Sequence, residues 1–428
     1  MMTDNHKLRQ FINDVAVMLE QGKIPEPEHY KNSLIEPGFA IHLLDEINAL
    51  PESAMDETPA LYSACIFILD VVLAQLQVEI EQGSAVARKP LSQLMSYLAQ
   101  KIVSGTHTLG FWLPVLNAFY EAHIEVSAEL KEAYFNLVHE ESSPEFADDA
   151  TNINAIQNLI DELADLSVFD IAEYFFAQSY ALPPDLYADL VIDLFNIEKG
   201  QDIAILSLLH PEPDVREAVL DTFDEMMTEV SLSSQSLSRL QSIKAWYPSQ
   251  YQSRFESWIK TQRKKGVVFQ KAVSLTDVPP HIKASEIDGS GAQGLFIEFK
   301  AHRSIRLGSL LFKQQIGIKD IWMTPPVSAA EAKRYYSEAF KESVMLKSVD
   351  LSYLCAMINH FLTLTIAKGN VPDLHLLEIQ ELLGVRFMPQ RLDTDVVIEA
   401  LAVKIAPFTP ERLHTALKRS KSWCKCPH

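Results

Sequence analysis

The sequence predicts a mostly α-helical protein: a solenoid-like, helical-repeat N-terminal half, then a small antiparallel β-meander and a C-terminal helical bundle. Apolar residues recur three and four positions apart through most of the first 265 residues, which places them on one helix face. Glycine is scarce, at 14 of 428 residues, whereas long all-β proteins need many turn glycines. Alternation of apolar and polar residues, the pattern of half-buried strands, is concentrated in residues 266–327.

The composition is that of a globular protein with two or three folding units. Hydrophobic residues make up 47% of the chain and charged residues 22%, which excludes a disordered protein, and domains usually hold on the order of 100–200 residues. The four cysteines lack the spacing of a disulfide framework, which indicates a reducing compartment. Charges at Asp4, Lys7 and Arg9 argue against a signal peptide. The most apolar run, Leu61–Leu76, contains Asp70 and predicts a buried helix rather than a membrane span.

Four regions follow one another along the chain. We expect an N-terminal helical region at 1–139, helical repeats at 150–265, the β segment at 266–327 and a second helical region at 328–428. A polar, acidic stretch, Glu140–Asn152, separates the first two.

The helices of the first half are separated by short breaks that contain proline, glycine, asparagine or serine. The predicted helices are Lys7–Gln21, Ala60–Gln82, Leu91–Val103, Phe111–Leu137, Ile153–Leu166, Ile171–Gln178 and Asp185–Phe195.

The second half changes character near Gly266. The predicted strands are Val267–Phe269, Ile282–Ile287, Leu295–Phe299, Ile305–Phe312 and Ile316–Trp322. Helices then return, with start or stop signals such as Asp350 and Gly384. They are Ala329–Leu346, Leu351–Ala367, Leu374–Leu383, Thr394–Ile405 and Pro410–Lys421.

The most specific pattern in the chain is a turn between two helices. Asp202–Leu209 predicts a short apolar helix, and the prolines of His210–Pro213 end it. Asp214 is the predicted N-cap of the next helix, with Glu217 three residues later as its capping-box partner.

The helix after this turn is amphipathic. Its predicted apolar face consists of Val215, Ala218, Val219, Phe223 and Met226. The residues predicted to face solvent are Arg216, Asp221 and Glu225.

This turn and helix, HPEPDVREAVLDTF, resemble a HEAT-type repeat of the bacterial short-repeat kind. In that family the turn carries proline and aspartate, and a Val-Arg pair opens the second helix. The resemblance covers residues 202–227, and a weaker echo without the Val-Arg pair lies at 184–195. It implies helix pairs stacked into a solenoid that serves as a binding scaffold. An ordinary helical hairpin is the alternative.

The net charge of −20 combines two opposite halves. Residues 1–250 contain 12 Lys and Arg against 40 Asp and Glu, a balance of −28, and residues 251–428 contain 25 against 17, a balance of +8. An acidic half repels nucleic acid and anionic membranes, so neither is an expected partner. Either the two halves attract each other, or the second half binds a polyanion.

The first candidate binding site is the loop of Asp288, Gly289, Ser290 and Gly291. Glycine allows backbone N–H groups to converge, so the loop could cradle an anion. It lacks the Gly-Lys-Ser/Thr ending of a P-loop, and no parallel βαβ unit follows it, so a plain turn is the alternative. Together with the hairpin and Gly317–Asp320, the loop resembles a pattern in uncharacterised bacterial proteins, which implies no function.

The second candidate is a group of cations in the β segment. Arg303, Arg306 and Lys319 could bind a phosphate-bearing ligand or nucleic acid, with Trp322 near them. Arg303 and Arg306 are three positions apart, so on one regular strand they face opposite sides. A solvated sheet face is the alternative. Lys319 beside Asp320 is also a candidate catalytic pair.

The third candidate is the C-terminal tail, where Cys424, Cys426 and His428 carry ligand atoms that zinc prefers. A structural zinc site needs four ligands, and His414 is a candidate fourth. A disordered tail without metal is the alternative, and no cofactor is expected.

No nucleophile elbow, HExxH sequence or Rossmann glycine pattern is present, and Lys319 with Asp320 is the single catalytic candidate. We therefore expect a non-catalytic, cytoplasmic scaffold for protein–protein interaction, whose partner is another protein. The alternative is an enzyme or regulator that binds a phosphate-bearing ligand or nucleic acid at the β segment.

Overall fold

A computed structural model describes most of the chain. The described residues are 2–23, 38–81, 83–105, 107–141, 149–197, 199–270, 278–301, 304–339, 345–393, 395–396, 398–399, 402 and 409–420. The chain forms two compact units. The first comprises Met1–Gly200 and Glu212–Thr222, and the second comprises Gln201–Pro211 and Phe223–His428.

Helices make up the described part of the first unit. In chain order they are α1 (Met2–Glu20), α2 (Phe39–Asn48), α3 (Ala54–Glu57), α4 (Pro59–Glu81), α5 (Ala85–Ser104), α6 (Leu109–Glu121), α7 (Ala128–Glu141), α8 (Asp149–Glu162), α9 (Val168–Gln178) and α10 (Pro184–Phe195).

Helix α4 is the centre of the apolar core of the first unit, and it packs against α1, α2, α3, α5 and α6. Among the described helices it alone is long and apolar enough to cross a membrane. Cys65, Ile68, Leu69 and Leu73 lie buried on it, as in a core helix of a folded unit. This burial agrees with the sequence prediction. We call α4 and the buried side chains around it the α4 core.

The second unit begins with helices, and further helices follow its sheet. They are α11 (Gly200–Leu206), α12 (Pro213–Glu229, whose residues up to Thr222 belong to the first unit), α13 (Ser234–Trp246), α14 (Gln252–Lys264), α15 (Ala329–Ala339), α16 (Leu351–Ala367), α17 (His375–Leu383) and α18 (Pro410–Ser420).

The sheet is antiparallel throughout, with the strand order β4-β3-β2-β1-β5. Its strands are β1 (His281–Ser285), β2 (Ala292–Ala301), β3 (Ser304–Lys313), β4 (Gly317–Met323) and β5 (Leu346–Val349). Strands β2 and β3 form a hairpin in which Ala292 is opposite Lys313 and Ala301 is opposite Ser304. The mostly α class and a small antiparallel sheet in the second half are confirmed.

One face of the sheet is buried beneath α16 and α17, which pack on β4. Strict alternation along β2 places Leu295, Ile297 and Phe299 on this face. Phe312 on β3 stacks on Phe361 of α16, with ring centroids 4.6 Å apart. The side chains of this face therefore form the core between the sheet and the helices.

Glycine at position 317 is required by the same contact. Gly317 has φ of +102°, and a Cβ there would lie 2.4 Å from Oγ1 of Thr365 on α16. That hydroxyl accepts a hydrogen bond from the backbone N–H of Ile318 at 2.9 Å. Only glycine allows β4 to begin this close to the helix.

Two predictions about the second unit are wrong. Val267–Phe269 is not a strand, because these residues continue from the end of α14, where the N–H of Val267 bonds the carbonyl of Gln262. The helix predicted at Ala329–Leu346 ends at Ala339, and Leu346 begins β5, which pairs with β1.

The amphipathic helix α12 agrees with its pattern in most positions. Val219 and Phe223 are fully buried, and Asp221 is exposed, as predicted. The helix begins at Pro213 rather than after Asp214, because proline is favoured at the first helical position. Arg216 was predicted to face solvent, but it is buried.

Candidate functional site

The Asp288–Gly291 loop connects β1 to β2 and is closed on itself. The Asp288 Oδ1 atom accepts hydrogen bonds from the N–H and hydroxyl of Ser290 at 2.9 and 2.7 Å, and from the N–H of Ala292 at 2.8 Å. The bond from Ala292, followed by that from the Ser290 side chain, lowers the pKa of Asp288. The side chain of Asp288 therefore occupies the place that a bound anion would take.

Arg306 lies on the buried face of the sheet. Its Nε donates to the carbonyl of Thr324 at 2.9 Å, and its Nη1 donates to Oε1 of Glu378 on α17. Its side chain is 15% exposed. Arg306 is therefore engaged by α17, which the sequence did not suggest.

The candidate cations are not gathered beside the loop. Lys313, whose charge acts on Asp288, is opposite the first residue of β2. Arg306 is seven residues away on β3, about 23 Å at about 3.3 Å per residue. Lys319 lies half-buried on β4, and Arg303 lies outside the described residues.

Helix α17 is buried on nearly all sides, including Glu378 and Gln380. A helix with carboxylates and no solvent face needs a cation for each of them. Those cations come from distant segments. We call Asp202, Arg239, Arg306, Glu378 and Glu381 the α17 network.

Arg239 on α13 is 3% exposed, as is Glu378, and these two are the most buried members of this network. Its Nε and Nη2 donate to the two carboxylate oxygens of Glu381 at 2.7 and 2.9 Å, and its Nη1 lies 3.2 Å from Oδ2 of Asp202. Burial opposes its charge, but the hydrogen bonds to Glu381 and the charge of Asp202 outweigh burial and raise its pKa. Arg239 therefore remains charged and ties α11, α13 and α17 together.

Neutral hydrogen bonds attach the same helix to α13. Gln380 donates to the hydroxyl of Ser242 at 3.0 Å and accepts from the N–H of Phe387 at 2.9 Å. Trp246 Nε1 donates to the carbonyl of Phe387 at 3.0 Å. The chain after α17 is thereby held against α13.

The ion pairs and hydrogen bonds of this arrangement have a structural role, because they hold helices together. The Arg239 guanidinium is bidentate on one carboxylate, which is the strongest and most directional form of ion pair. In the described residues, no group of three or more His, Cys, Asp and Glu side chains is placed to hold a metal ion. The tail residues Cys424, Cys426 and His428 lie outside the described part of the chain, and His414 is exposed on α18.

Helix α18 differs from the other helices described above because none of its residues is buried. Leu413 and Leu417 are 50% and 56% exposed. The i, i+4 spacing places them on one face. Arg412 and Arg419 lie along one edge of this face, and Lys418 lies on the opposite side of the helix.

Local signals favour this helix. Thr409 caps it by accepting the N–H of Arg412 on its hydroxyl at 3.3 Å, and Pro410 occupies the first position, where proline is favoured. Lys418 and Arg419 lie in the last turn, where cations stabilise the helix dipole. Amphipathic helices with exposed apolar residues are typical docking elements.

Comparison with known proteins gives a family likeness for part of the chain. Residues 183–266, which contain α10 to α14, match the model of the Y4lR second domain. The uncharacterized protein y4lR of Sinorhizobium fredii (strain NBRC 101917 / NGR234) is 26% identical over 187 residues, 43% of this chain and 36% of that protein. The likeness thus spans about a third of the relative's length. No solved structure matches the chain.

Proposed function

We propose that this protein is a non-catalytic, cytoplasmic scaffold that binds another protein and is built from HEAT-like helix pairs. The observation that carries the proposal is α18, an amphipathic helix whose leucines Leu413 and Leu417 remain in solvent. Exposed apolar residues on one face of a preformed helix are costly in water and favourable in a partner's groove.

The helix arrangement of the first unit supports the scaffold part of the proposal. Helix α4 packs on α6, α5 on α7, and α8 on α10, while α4 also packs on α5 and α6 on α7. Contacts to the next helix and to the one after it are typical of stacked helix pairs. Such arrays present long surfaces for other proteins.

The candidate sites in the β segment support a non-catalytic reading. Asp288 is held by its own loop, and Arg306 is held by Glu378 and Thr324. A phosphate-bearing ligand would have to displace these bonds. The alternative of ligand or nucleic-acid binding at the β segment therefore has less support than the scaffold.

The described cysteines support a reducing compartment such as the cytoplasm. Burial raises the pKa of Cys65 to about 12 and also raises that of Cys355. Both thiols are free and stay protonated at neutral pH, so they behave as apolar side chains.

The proposal is tested by comparing the proteins that wild-type chain and the Leu413→Asp/Leu417→Asp variant capture from the native host. We expect at least one protein whose recovery falls about tenfold in the variant, which corresponds to about 1.4 kcal/mol of binding free energy. The matched control is Val86→Asp, because Val86 is 81% exposed on α5. Equal recovery by the wild type and the double variant would contradict a role of α18 in binding.

A further inference from the structure

We propose that α18 docks on a second copy of this chain, in a groove between α2 and α5 of the first unit. The proposal rests on the proposed function and names the partner. It follows from the shape of the groove, from the residues beside it and from the charges on the two surfaces.

The groove has a volume of about 360 Å³. It lies between two helices that pack against each other. It is lined by Ile41, Ser92, Gln93, Ser96, Tyr97 and Gln100. Ile41 and Tyr97 are half-buried, so their apolar atoms are accessible to a side chain, and the other four lining residues are polar. We call it the α2–α5 groove.

Carboxylates border this groove. Ser96 donates to Oε2 of Glu129 at 2.7 Å, and Tyr97 donates to Oδ1 of Asp45 at 2.6 Å. Lys101 neutralises Asp45 at 2.9 Å. Glu129 is exposed on α7, and its neighbours in sequence, Glu125 and Glu132, are also acidic. The side of the groove that faces α7 is therefore anionic.

Helix α18 has the complementary pattern. At 100° per residue, Leu413, Ala416 and Leu417 share one face, and Arg412 and Arg419 lie together along one edge of it. The leucines fit the apolar atoms of Ile41 and Tyr97, and the arginine edge fits the exposed carboxylate of Glu129.

The distribution of charge along the chain also favours contact between two copies. Residues 1–200 contain 9 Lys and Arg against 32 Asp and Glu, whereas residues 401–428 contain six Lys and Arg and one acidic residue. One chain thus carries both halves of a complementary pair. If each copy places its α18 on the other, the contact is reciprocal and closes a two-fold dimer.

A membrane surface is less well matched. Helices that lie on membranes present a large apolar face, often with Trp and Phe. The apolar face of α18 consists of two leucines and one alanine.

The test is the oligomeric state of the full chain, measured by sedimentation equilibrium over a wide concentration range at low and high salt. We expect a monomer–dimer equilibrium whose dissociation constant rises about tenfold or more at high salt, because the paired charges are exposed. Arg419→Glu and Glu129→Arg should each raise it by about tenfold or more, since each places like charges together. Lys418→Glu, on the opposite side of α18, is the control and should change it little.

A mixing experiment gives the decisive signature. In a pair formed by the Arg419→Glu chain and the Glu129→Arg chain, opposite charges meet at both reciprocal contacts. An equimolar mixture should therefore regain the dimer affinity that each variant alone has lost. Two variants that had merely misfolded would not restore each other.

Other outcomes overturn the proposal. A chain that stays monomeric at all concentrations excludes a second copy. Binding of the monomer to phosphatidylserine–phosphatidylcholine vesicles, lost in Leu413→Asp/Leu417→Asp, would indicate a membrane instead. If the chain is monomeric while that double variant still loses captured host proteins, the scaffold function stands and only the identity of the partner is wrong.

Discussion

The α4 core and the α17 network show two ways in which a folded chain can bury a carboxylate. In the α4 core, Asp70 is half-buried, and its pKa is raised by burial and by the negative charge of Glu121. In the α17 network, Glu381 meets a guanidinium at hydrogen-bond distance. The first carboxyl is shielded from water without a cation, whereas the second is paired.

The two carboxyl groups therefore respond differently to burial. Burial and Glu121 raise the pKa of Asp70 to about 7, so the neutral acid is the main form below neutral pH. Arg239 keeps its charge because the carboxylates offset the cost of burying it. Burial thus favours the neutral form of a carboxyl group that has no cation beside it. Where two opposite charges are buried together, each needs the other.

The largest change in stability is expected when Arg239, the cation that Asp202 and Glu381 share, is removed. Arg239→Ala leaves the carboxylates of Asp202 and Glu381 without their guanidinium, and it should lower the free energy of unfolding by about 3–5 kcal/mol. Urea denaturation monitored by tryptophan fluorescence measures it, since Trp246 lies on the same helix.

The matched control removes the charges together. Arg239→Met combined with Glu381→Leu and Asp202→Asn should lose much less stability than Arg239→Ala, because no buried charge is left unpaired. A loss below about 1 kcal/mol for Arg239→Ala alone would mean that water reaches these carboxylates.

In the α4 core, a substitution is expected to stabilise the protein, by less than Arg239→Ala destabilises it. The folded-state pKa of Asp70 is about 7, above about 3.9 in the unfolded chain, so the folded state binds more protons between these values. Stability should therefore fall as the pH rises from about 4 to above 7. Asp70→Asn should remove this decline and raise the free energy of unfolding at pH 8 by about 1–3 kcal/mol.

Thermal or urea denaturation of both chains at pH 5 and pH 8 checks this expectation. The gain from Asp70→Asn should be larger at pH 8 than at pH 5. The comparison between the two regions fails if the substitution destabilises the chain equally at both values.

The smallest effect is expected at α18. Leu413→Asp/Leu417→Asp should change the free energy of unfolding of the monomer by less than about 0.5 kcal/mol, because both leucines are exposed and surface substitutions seldom cost more. The measurement is urea denaturation at high salt and low protein concentration. A loss of several kcal/mol would show that α18 packs on its own chain.

Local signals predicted most of the elements correctly. Asp350 was predicted to begin a helix, and its side chain accepts the N–H of Tyr353 at 2.8 Å. Gly384 was predicted to end one, and it adopts φ of +64° there. The hairpin of β2 and β3 follows the alternation of its apolar residues. Each signal depends on residues within about four positions of one another, so it can be recognised in the sequence.

Side-chain partners were harder to predict. Arg306 was a candidate ligand site, yet it binds Glu378, which lies 72 positions away, and Arg239 binds Glu381 across 142 positions. The one available signal was the helix α17 itself, whose carboxylates lie on apolar faces and require cations from elsewhere. Nothing in the sequence indicated which cations those would be.

The sequence by itself determined the mostly helical class, the position of the main hairpin, the caps of several helices and the opposite charges of the two halves. Only the tertiary structure decided that Leu346–Val349 pairs as a fifth strand, that Arg216 is buried, and that the loop at Asp288 is closed by its own side chain. The physical reason is the distance along the chain over which each interaction acts. Periodicity and capping depend on neighbours in the chain, whereas strand pairing and ion pairing depend on which distant segments the fold brings together.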